Sequence, residues 1–575
     1  MPVTARSSLP LLTPFADIPQ GCSLQKSEDG QRFTCVREGE AVHVLADRCP
    51  HQGYPLSQGE ARDGTLTCAW HNWKFDVRTG ECTFGGEGVR RFPASVADGR
   101  VHVDLRVDVP AERARLRASM ARALQSGDGG AVLRDGLRLD QLEELEGPSP
   151  AFGVLVEFAA ARTPYGFDHP LATMTDLLSW VERGWLALPE ALAVAAELAA
   201  EDYAYLGDRP VHAELEGEAT AQAIPAALRV EARAQAEATA RALARELAPG
   251  DAASLDALTR EGLLPYVGDH LLGYGHGLIY TDKTRDLIAR FPEAREALLG
   301  ALIVRQGWHT RETALPPWKR TREGYAAVDA LGPTPNTDPA SAPQWSPEAR
   351  ARYEQAVLAS EAAAVDATLE ALGQGVAPRA LVLASAHAAA IRLARFDPSW
   401  ERRPEAEVTV LDVSHALTFP DAALALLPLA SDRDARRFAV QAAAFVGKLH
   451  KSDRSEEPPA SEATPSLEEV LRRRDADALP SLARRVPAAE RPAAYARLAP
   501  FAAGETFVRP IFTAHAVKVT EACHRLEGVD DQADHAYLEA ALTMVVPRRT
   551  ERSPKRQATL ALEMIEHSRP PKGLY

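Results

Sequence analysis

Nowhere along the 575 residues do eighteen apolar side chains follow one another, so the sequence offers no candidate for a membrane span. Excess positive charge is also lacking. Lys and Arg number 65 against 80 Asp and Glu, for a net charge of −15. A nucleic-acid surface needs a basic patch, so no nucleic-acid partner is expected. The opening Met1-Pro-Val-Thr-Ala-Arg has neither the apolar run nor the cleavage site of an export signal, and a cytoplasmic protein is expected. Cysteine is scarce, with six in all. Cys22, Cys35, Cys49, Cys68 and Cys82 lie together near the start, and only Cys523 lies far from them. Disulfide-stapled secreted domains spread their cysteines, whereas clustering at one end points to a local metal or redox module.

The length exceeds one typical core and predicts a multidomain protein. Residues 20–105 read as a small all-β unit. Short, partly alternating runs at Gln31–Arg37, Ala41–Ala46, Thr65–Ala69 and Val101–Leu105 are separated by Gly, Asp and Asn breakers. From about residue 107, Ala, Leu, Glu and Arg dominate at helical period. Residues 111–125, 188–204, 226–247, 283–305, 347–373, 376–395, 433–450, 508–526 and 531–544 read as helices. The fold class expected is a small N-terminal β domain (10–106), a linker or helical connection (107–150), a large all-α domain (151–547) and a C-terminal tail (548–575). The Pro-rich stretches Gly332-Pro-Thr-Pro and Glu457-Pro-Pro-Ala read as surface loops of the helical domain.

Cys49-Pro-His51 is followed by Cys68-Ala-Trp-His71. Two cysteines each trailed by a histidine at a fixed offset arise by chance about once in a thousand, given 16 histidines in 575 residues. Two thiolates and two imidazoles suit a [2Fe–2S] pair in which one iron takes both sulfurs and the other both nitrogens. The same donor set also suits zinc. A zinc finger usually pairs Cys with Cys and His with His along the chain, whereas each half here mixes the two.

The stretches Asp47–Gly59 and Cys68–Gly80 resemble the two cluster loops of Rieske ferredoxins and aromatic-ring oxygenases. The resemblance spans roughly residues 12–105 and implies a [2Fe–2S] cluster on Cys49, His51, Cys68 and His71. The respiratory branch of that superfamily has a disulfide between the loops and Ser and Tyr hydroxyls donating to the cluster. Here the loops have no extra cysteine, and Trp73 and Phe75 stand at the positions that match those hydroxyls. Fewer donors to sulfur predict a potential toward the low end of the Rieske range of about −150 to +300 mV. Cys22, Cys35 and Cys82 read as ordinary buried thiols.

Beyond the β unit, four histidines sit in apolar, helix-like settings: His169, His276, His415 and His515. Four helices each offering one inward imidazole can build an iron site, although each ring taken alone reads more readily as a core histidine on a backbone carbonyl. Gly273-Tyr-Gly-His-Gly277 follows no strand and is not a dinucleotide fingerprint. The segments around these histidines resemble the questin oxidase-like family, helical oxygenases of polyketide pathways. That resemblance spans about residues 150–545. It implies one non-haem iron on the four histidines and a carboxylated lysine, with Lys518 the candidate and Lys448 the alternative. Tyr280 and Thr418, one turn from His276 and His415, would support the ligands. Asp412-Val-Ser-His415 and Glu521-Ala-Cys-His524 leave a di-iron site open.

The expected function is an oxygenase component. Electrons from a separate reductase would pass through the cluster to a non-haem iron that uses O2 on an apolar, aromatic or polyketide-like small molecule. The alternative is an electron carrier whose helical domain only docks.

Overall fold

The computed structural model describes residues 8–142, 147–208, 215, 217–309, 319–332, 345–403, 408–455, 465–506, 510–547 and 550–566. The Pro-rich stretches just after residues 332 and 457 lie outside these. By packing, the chain divides into two compact units. One holds Met1–Leu155, Leu192–Leu206 and Lys555–Tyr575; the other holds Val156–Ala191 and Gly207–Pro554. The β domain's unit therefore takes in residues 107–150, expected as a connection, and much of the stretch expected as a tail. In place of a plain tail, the helix Pro554–Glu566 forms there.

The β domain consists of eleven short strands: β1 (Leu9–Pro14), β2 (Gly21–Lys26), β3 (Arg32–Glu38), β4 (Ala41–Ala46), β5 (Glu60–Arg62), β6 (Thr65–Thr67), β7 (Lys74–Asp76), β8 (Cys82–Phe84), β9 (Arg91–Phe92), β10 (Ala94–Ala97) and β11 (Arg100–Val103). They form three antiparallel sheets in the orders β1-β11-β10, β2-β3-β4-β9 and β5-β6-β7-β8. Alternation along β3 and β4 supplies two cores. Phe33, Cys35 and Val44 pack with Leu11, Phe92 and Val101, while Val36 and Leu45 pack with Leu56, Leu66, Phe75, Cys49 and Cys68. The two motif cysteines are thus set in apolar surroundings, Cys49 just after β4 and Cys68 directly after β6.

Two helices follow the β domain in the same unit. Asp108 caps Val109–Ser126, Gly127 ends it in the left-handed conformation, and Asp128 caps Gly129–Gln141. Among the described residues the second unit is mainly helical, with the short strand pair Glu505–Thr506 and Thr550–Arg552. Its interior includes the helices His169–Glu182, Leu272–Arg290, Val410–Leu426 and Pro510–Val529. Val410–Leu429 is long and apolar enough to cross a bilayer, but most of it is buried inside the protein, as befits a core helix.

Candidate metal centres

The two cluster loops share one backbone device. Cys49 N–H donates to the Tyr54 carbonyl at 2.8 Å, and Gly53 N–H returns to the Cys49 carbonyl at 2.8 Å. In the second loop Cys68 N–H donates to the Trp73 carbonyl at 2.8 Å, and Asn72 N–H returns to the Cys68 carbonyl at 3.1 Å. Each turn closes on a left-handed residue, Gly53 at φ 75° and Asn72 at φ 59°. Gly and Asn are the residues that adopt that region at least cost. Asp47, two residues before Cys49, fixes the first loop. Its buried carboxylate accepts from Arg32 at 2.8 Å, from the Thr34 hydroxyl at 2.8 Å and from Ser57 N–H at 2.9 Å.

These turns bring the four motif residues together. The Cys49 and Cys68 thiols are in hydrogen-bonding contact, which pushes Cys49 up and pulls Cys68 down to about 6. Backbone N–H groups of His51, Trp70 and His71 also point at these sulfurs. The His51 and His71 rings meet edge to face with centroids 4.5 Å apart. Burial, together with His71 and Arg134, lowers His51 to about 4, which keeps it in the neutral form a metal requires. His51 Nδ1 is buried with no hydrogen-bond partner, an unmet lone pair that an iron would satisfy. The residues therefore fit a [2Fe–2S] cluster. Cys22, Cys35 and Cys82 are free thiols; Cys35 is buried as expected, whereas Cys22 and Cys82 are only partly buried, and burial lifts Cys22 and Cys35 to about 12 and raises Cys82.

Comparison with known proteins agrees with this geometry. The family model for the Rieske [2Fe–2S] domain matches residues 10–90. An anthranilate 1,2-dioxygenase ferredoxin subunit of Burkholderia cepacia is 35% identical over 79 residues, which cover 13% of this chain and 73% of that protein. The chain belongs to the Rieske [2Fe–2S] family. A 4beta-methylsterol monooxygenase of Methylococcus capsulatus is 34% identical over 142 residues, covering 23% of this chain and 33% of that one. A vanillate O-demethylase oxygenase subunit of a Pseudomonas species is 30% identical over 115 residues, covering 20% of this chain and 30% of that one. The chain thus spans about a third of the length of these two oxygenases.

Imidazoles also gather away from the Rieske module. In the helical unit His169, His276, His415 and His515 converge from four helices. Ring centroids lie 5.1 Å apart for His169 and His276, 4.8 Å for His169 and His515, 4.5 Å for His276 and His415, and 4.7 Å for His415 and His515. Ligand atoms of His169, His276 and His415 all lie within 4.8 Å of one another. His169 opens its helix: Asp168 is the N-cap, and Pro170 falls in the first turn, where a missing N–H costs nothing. His276 follows a Gly273-Tyr274-Gly275 kink in which all three residues have positive φ. His415 Nδ1 donates to the Leu411 carbonyl at 2.6 Å, and His515 Nδ1 to the Ile511 carbonyl at 2.6 Å. Both rings therefore turn an unprotonated Nε2 inward.

His169 Nε2 and His276 Nε2 are buried without partners. Burial, then the Lys518 charge, holds His169 well below its ordinary range and His415 at about 3, so the imidazoles are neutral. Arg305 donates to His276 Nδ1 at 2.9 Å, which leaves the ring proton on Nε2. Coordination through His276 Nε2 therefore requires Arg305 to release Nδ1. The donor set fits a cation such as iron.

Lys518 is buried beside this group, and burial lowers it to about 7. Its charge acts on His169, His276 and His415. Lys448 sits at the partly exposed C-terminus of another helix. Tyr280 stacks on His276 with centroids 4.7 Å apart. Thr418 Oγ1 turns back to the His415 carbonyl at 3.5 Å, so its hydroxyl is engaged with the helix backbone. The carboxylate-x-x-His pairs do not assemble. Asp412 is spent in a capping box with Thr409, Glu521 is held by Arg183 and the Trp180 indole N–H, and His524 lies against Trp185 and Tyr495.

Arg305 and Tyr274 escaped the sequence reading, as did Asp176 and Lys283, which pair at 2.6 Å. Tyr274 is half-exposed and stacks on His415 with centroids 5.6 Å apart. Asp176 and Lys283 each follow their helix's histidine by seven residues, two turns along the same face. Charged residues at that spacing in apolar helices were the available signal.

Proposed function

We propose that the chain is the oxygenase component of a Rieske-dependent system, with a mononuclear non-haem iron on His169, His276, His415 and His515. The observation that carries this reading is the convergence of four imidazoles in the interior, with His169 Nε2 and His276 Nε2 buried and lacking hydrogen-bond partners. An unpartnered buried nitrogen costs roughly 1–3 kcal/mol, and a metal ion removes that cost at both of them together. The iron would supply the activation of O2. The protein's own part is to keep the rings deprotonated through burial and to orient two of them by backbone carbonyls. Lys518, with its amine lowered toward neutrality by burial, is placed to carry a carboxyl group as a further ligand, as in the questin oxidase-like family. The Rieske domain would deliver single electrons from a separate reductase. The relatives named as a sterol monooxygenase and a vanillate demethylase support oxidation of an apolar or aromatic small molecule.

Removing ligands tests the reading. His276→Ala and His415→Ala should each lose the iron that is not part of the cluster while the cluster's absorption and paramagnetic resonance persist. Unchanged iron content in both variants would discard the site. A second reading, an electron carrier with a docking scaffold, is favoured by the ferredoxin subunit, of which the chain covers 73%. It requires no iron beyond the cluster.

A further inference from the structure

The Rieske match ends at residue 90, yet the geometry that fixes one cluster ligand extends beyond it. Trp73 stacks on His51 with ring centroids 4.7 Å apart and planes 16° from parallel. In the segment Gly85-Gly86-Glu87-Gly88, the first two glycines lie against the Trp73 indole. A Cβ on Gly85 would fall 2.5 Å from Trp73 Cδ2, and one on Gly86 would fall 3.1 Å from Cη2. Only glycine lets the backbone come so close.

Glu87 in that segment is fully buried, and its carboxylate receives both arms of the Arg134 guanidinium at 2.8 Å. Arg138, one turn on, reaches Glu87 at 3.4 Å and Asp135 at 2.6 Å. Both arginines belong to the helix Gly129–Gln141. A bidentate pair of this kind is directional as well as attractive, and a buried one is costly unless its geometry is satisfied.

We propose that the Glu87–Arg134 pair is a positioning device for the cluster: the helix holds Glu87, the glycine segment holds Trp73, and Trp73 sets the plane of the His51 ring. Ligand-ring orientation shapes the electronic structure of the bound irons, so the device tunes the cluster's spectrum and potential. The inference concerns the Rieske unit alone and stands apart from the helical iron.

Paramagnetic resonance and redox titration of the full chain test it. Glu87→Gln and Arg134→Gln should keep equal iron and sulfide in the cluster yet shift its g-values and midpoint potential. Arg134→Lys, which keeps the charge but loses the fork, should shift the g-values as Arg134→Gln does. Gly86→Ala leaves the ion pair intact and presses on the indole, so it should also shift the g-values. It decides the matter if the Arg134 variants assemble no cluster. Parental g-values and potential in Gly86→Ala and in the assembled ion-pair variants would overturn the proposal. A potential shift in Arg134→Gln with a fully parental Arg134→Lys would overturn it in favour of charge alone.

Discussion

His415 and His515 point their Nε2 atoms at each other across 3.2 Å, each with its Nδ1–H bound to the carbonyl one turn earlier. In that tautomer neither nitrogen has a proton to offer the other. Two lone pairs so close repel unless a cation lies between them. Ferrous ion added to chelator-treated protein should therefore raise the unfolding temperature of the helical unit. At a hundredfold excess over the dissociation constant the gain is about 2.7 kcal/mol, or roughly 3 °C for a unit this large. Calorimetry on the parent and on His415→Ala checks this; an equal rise in both would place the ion elsewhere.

Gly275 has φ 76°, and a Cβ there would fall 2.5 Å from the Phe419 ring. Gly275→Ala combines a left-handed penalty of about 1–2 kcal/mol with overpacking of about 1–3 kcal/mol. It should lower stability by roughly 2–5 kcal/mol in denaturant unfolding. A change under about 0.5 kcal/mol would mean that the kink before His276 is not built as described.

Asp47 gathers Arg32, Thr34 and the Ser57 amide around a carboxylate that is 1% exposed. Asp47→Ala leaves those donors unmet and frees the first cluster loop. The expected cost is roughly 2–4 kcal/mol, with faster loss of cluster absorbance on dilution into chelator. Cluster retention equal to the parent would show that the loop is held without it.

His387 sits between Glu354 Oε1 and Asp534 Oδ1, 3.1 Å from each. Burial opposes its charge, but the hydrogen bond to Asp534 and the nearby Glu354 carboxylate outweigh burial and lift it to about 9. Because the folded value lies above the ordinary one near 6.5, the stabilisation is complete below pH 6.5. It is lost as pH rises through 9. Stability should fall by on the order of 1–3 kcal/mol across that window, allowing for the half-exposed Asp534. His387→Gln should flatten the decline; an undiminished slope would assign it to other groups.

Trp73 and Phe75, which the resemblance matches to hydroxyl donors of the respiratory branch, offer no hydroxyl, and Phe75 is fully buried. The cluster should titrate below about +200 mV, toward the lower part of the Rieske range. Protein-film voltammetry measures this directly, and a higher value would require donors to the sulfurs other than the backbone N–H groups described.

Local chemistry was legible from spacing alone, whereas the meeting of His169, His276, His415 and His515 was reached only through a family resemblance. The cluster ligands could be read because each Cys–His pair comes from one short turn, and β4 could be read at Ala41–Ala46 because both its ends are marked by breakers. Periodicity overran true helix ends where one residue breaks the path. The expected 226–247 helix splits at Glu231, which has φ 63°, and 347–373 splits at Ser360, whose extended backbone caps the second helix. Residues 283–305 split at Phe291-Pro292, where proline cannot continue the first helix. Gly129–Gln141 and His169–Glu182 were missed because Gly and Pro near their starts look like loop signals, although both are acceptable in a first turn. Arg305 could not be assigned from sequence, since its role depends on which helix packs beside His276.

The iron-to-labile-sulfide ratio of the full-length protein, measured on one sample with its paramagnetic resonance spectrum, tests the central claim most directly. A Rieske cluster contributes iron and sulfide equally, so a further mononuclear iron gives a ratio of about 1.5 together with a reduced-cluster signal. A ratio of about 1.0 in protein made with ample iron would contradict the second metal centre, and zinc in place of iron and sulfide would contradict the first.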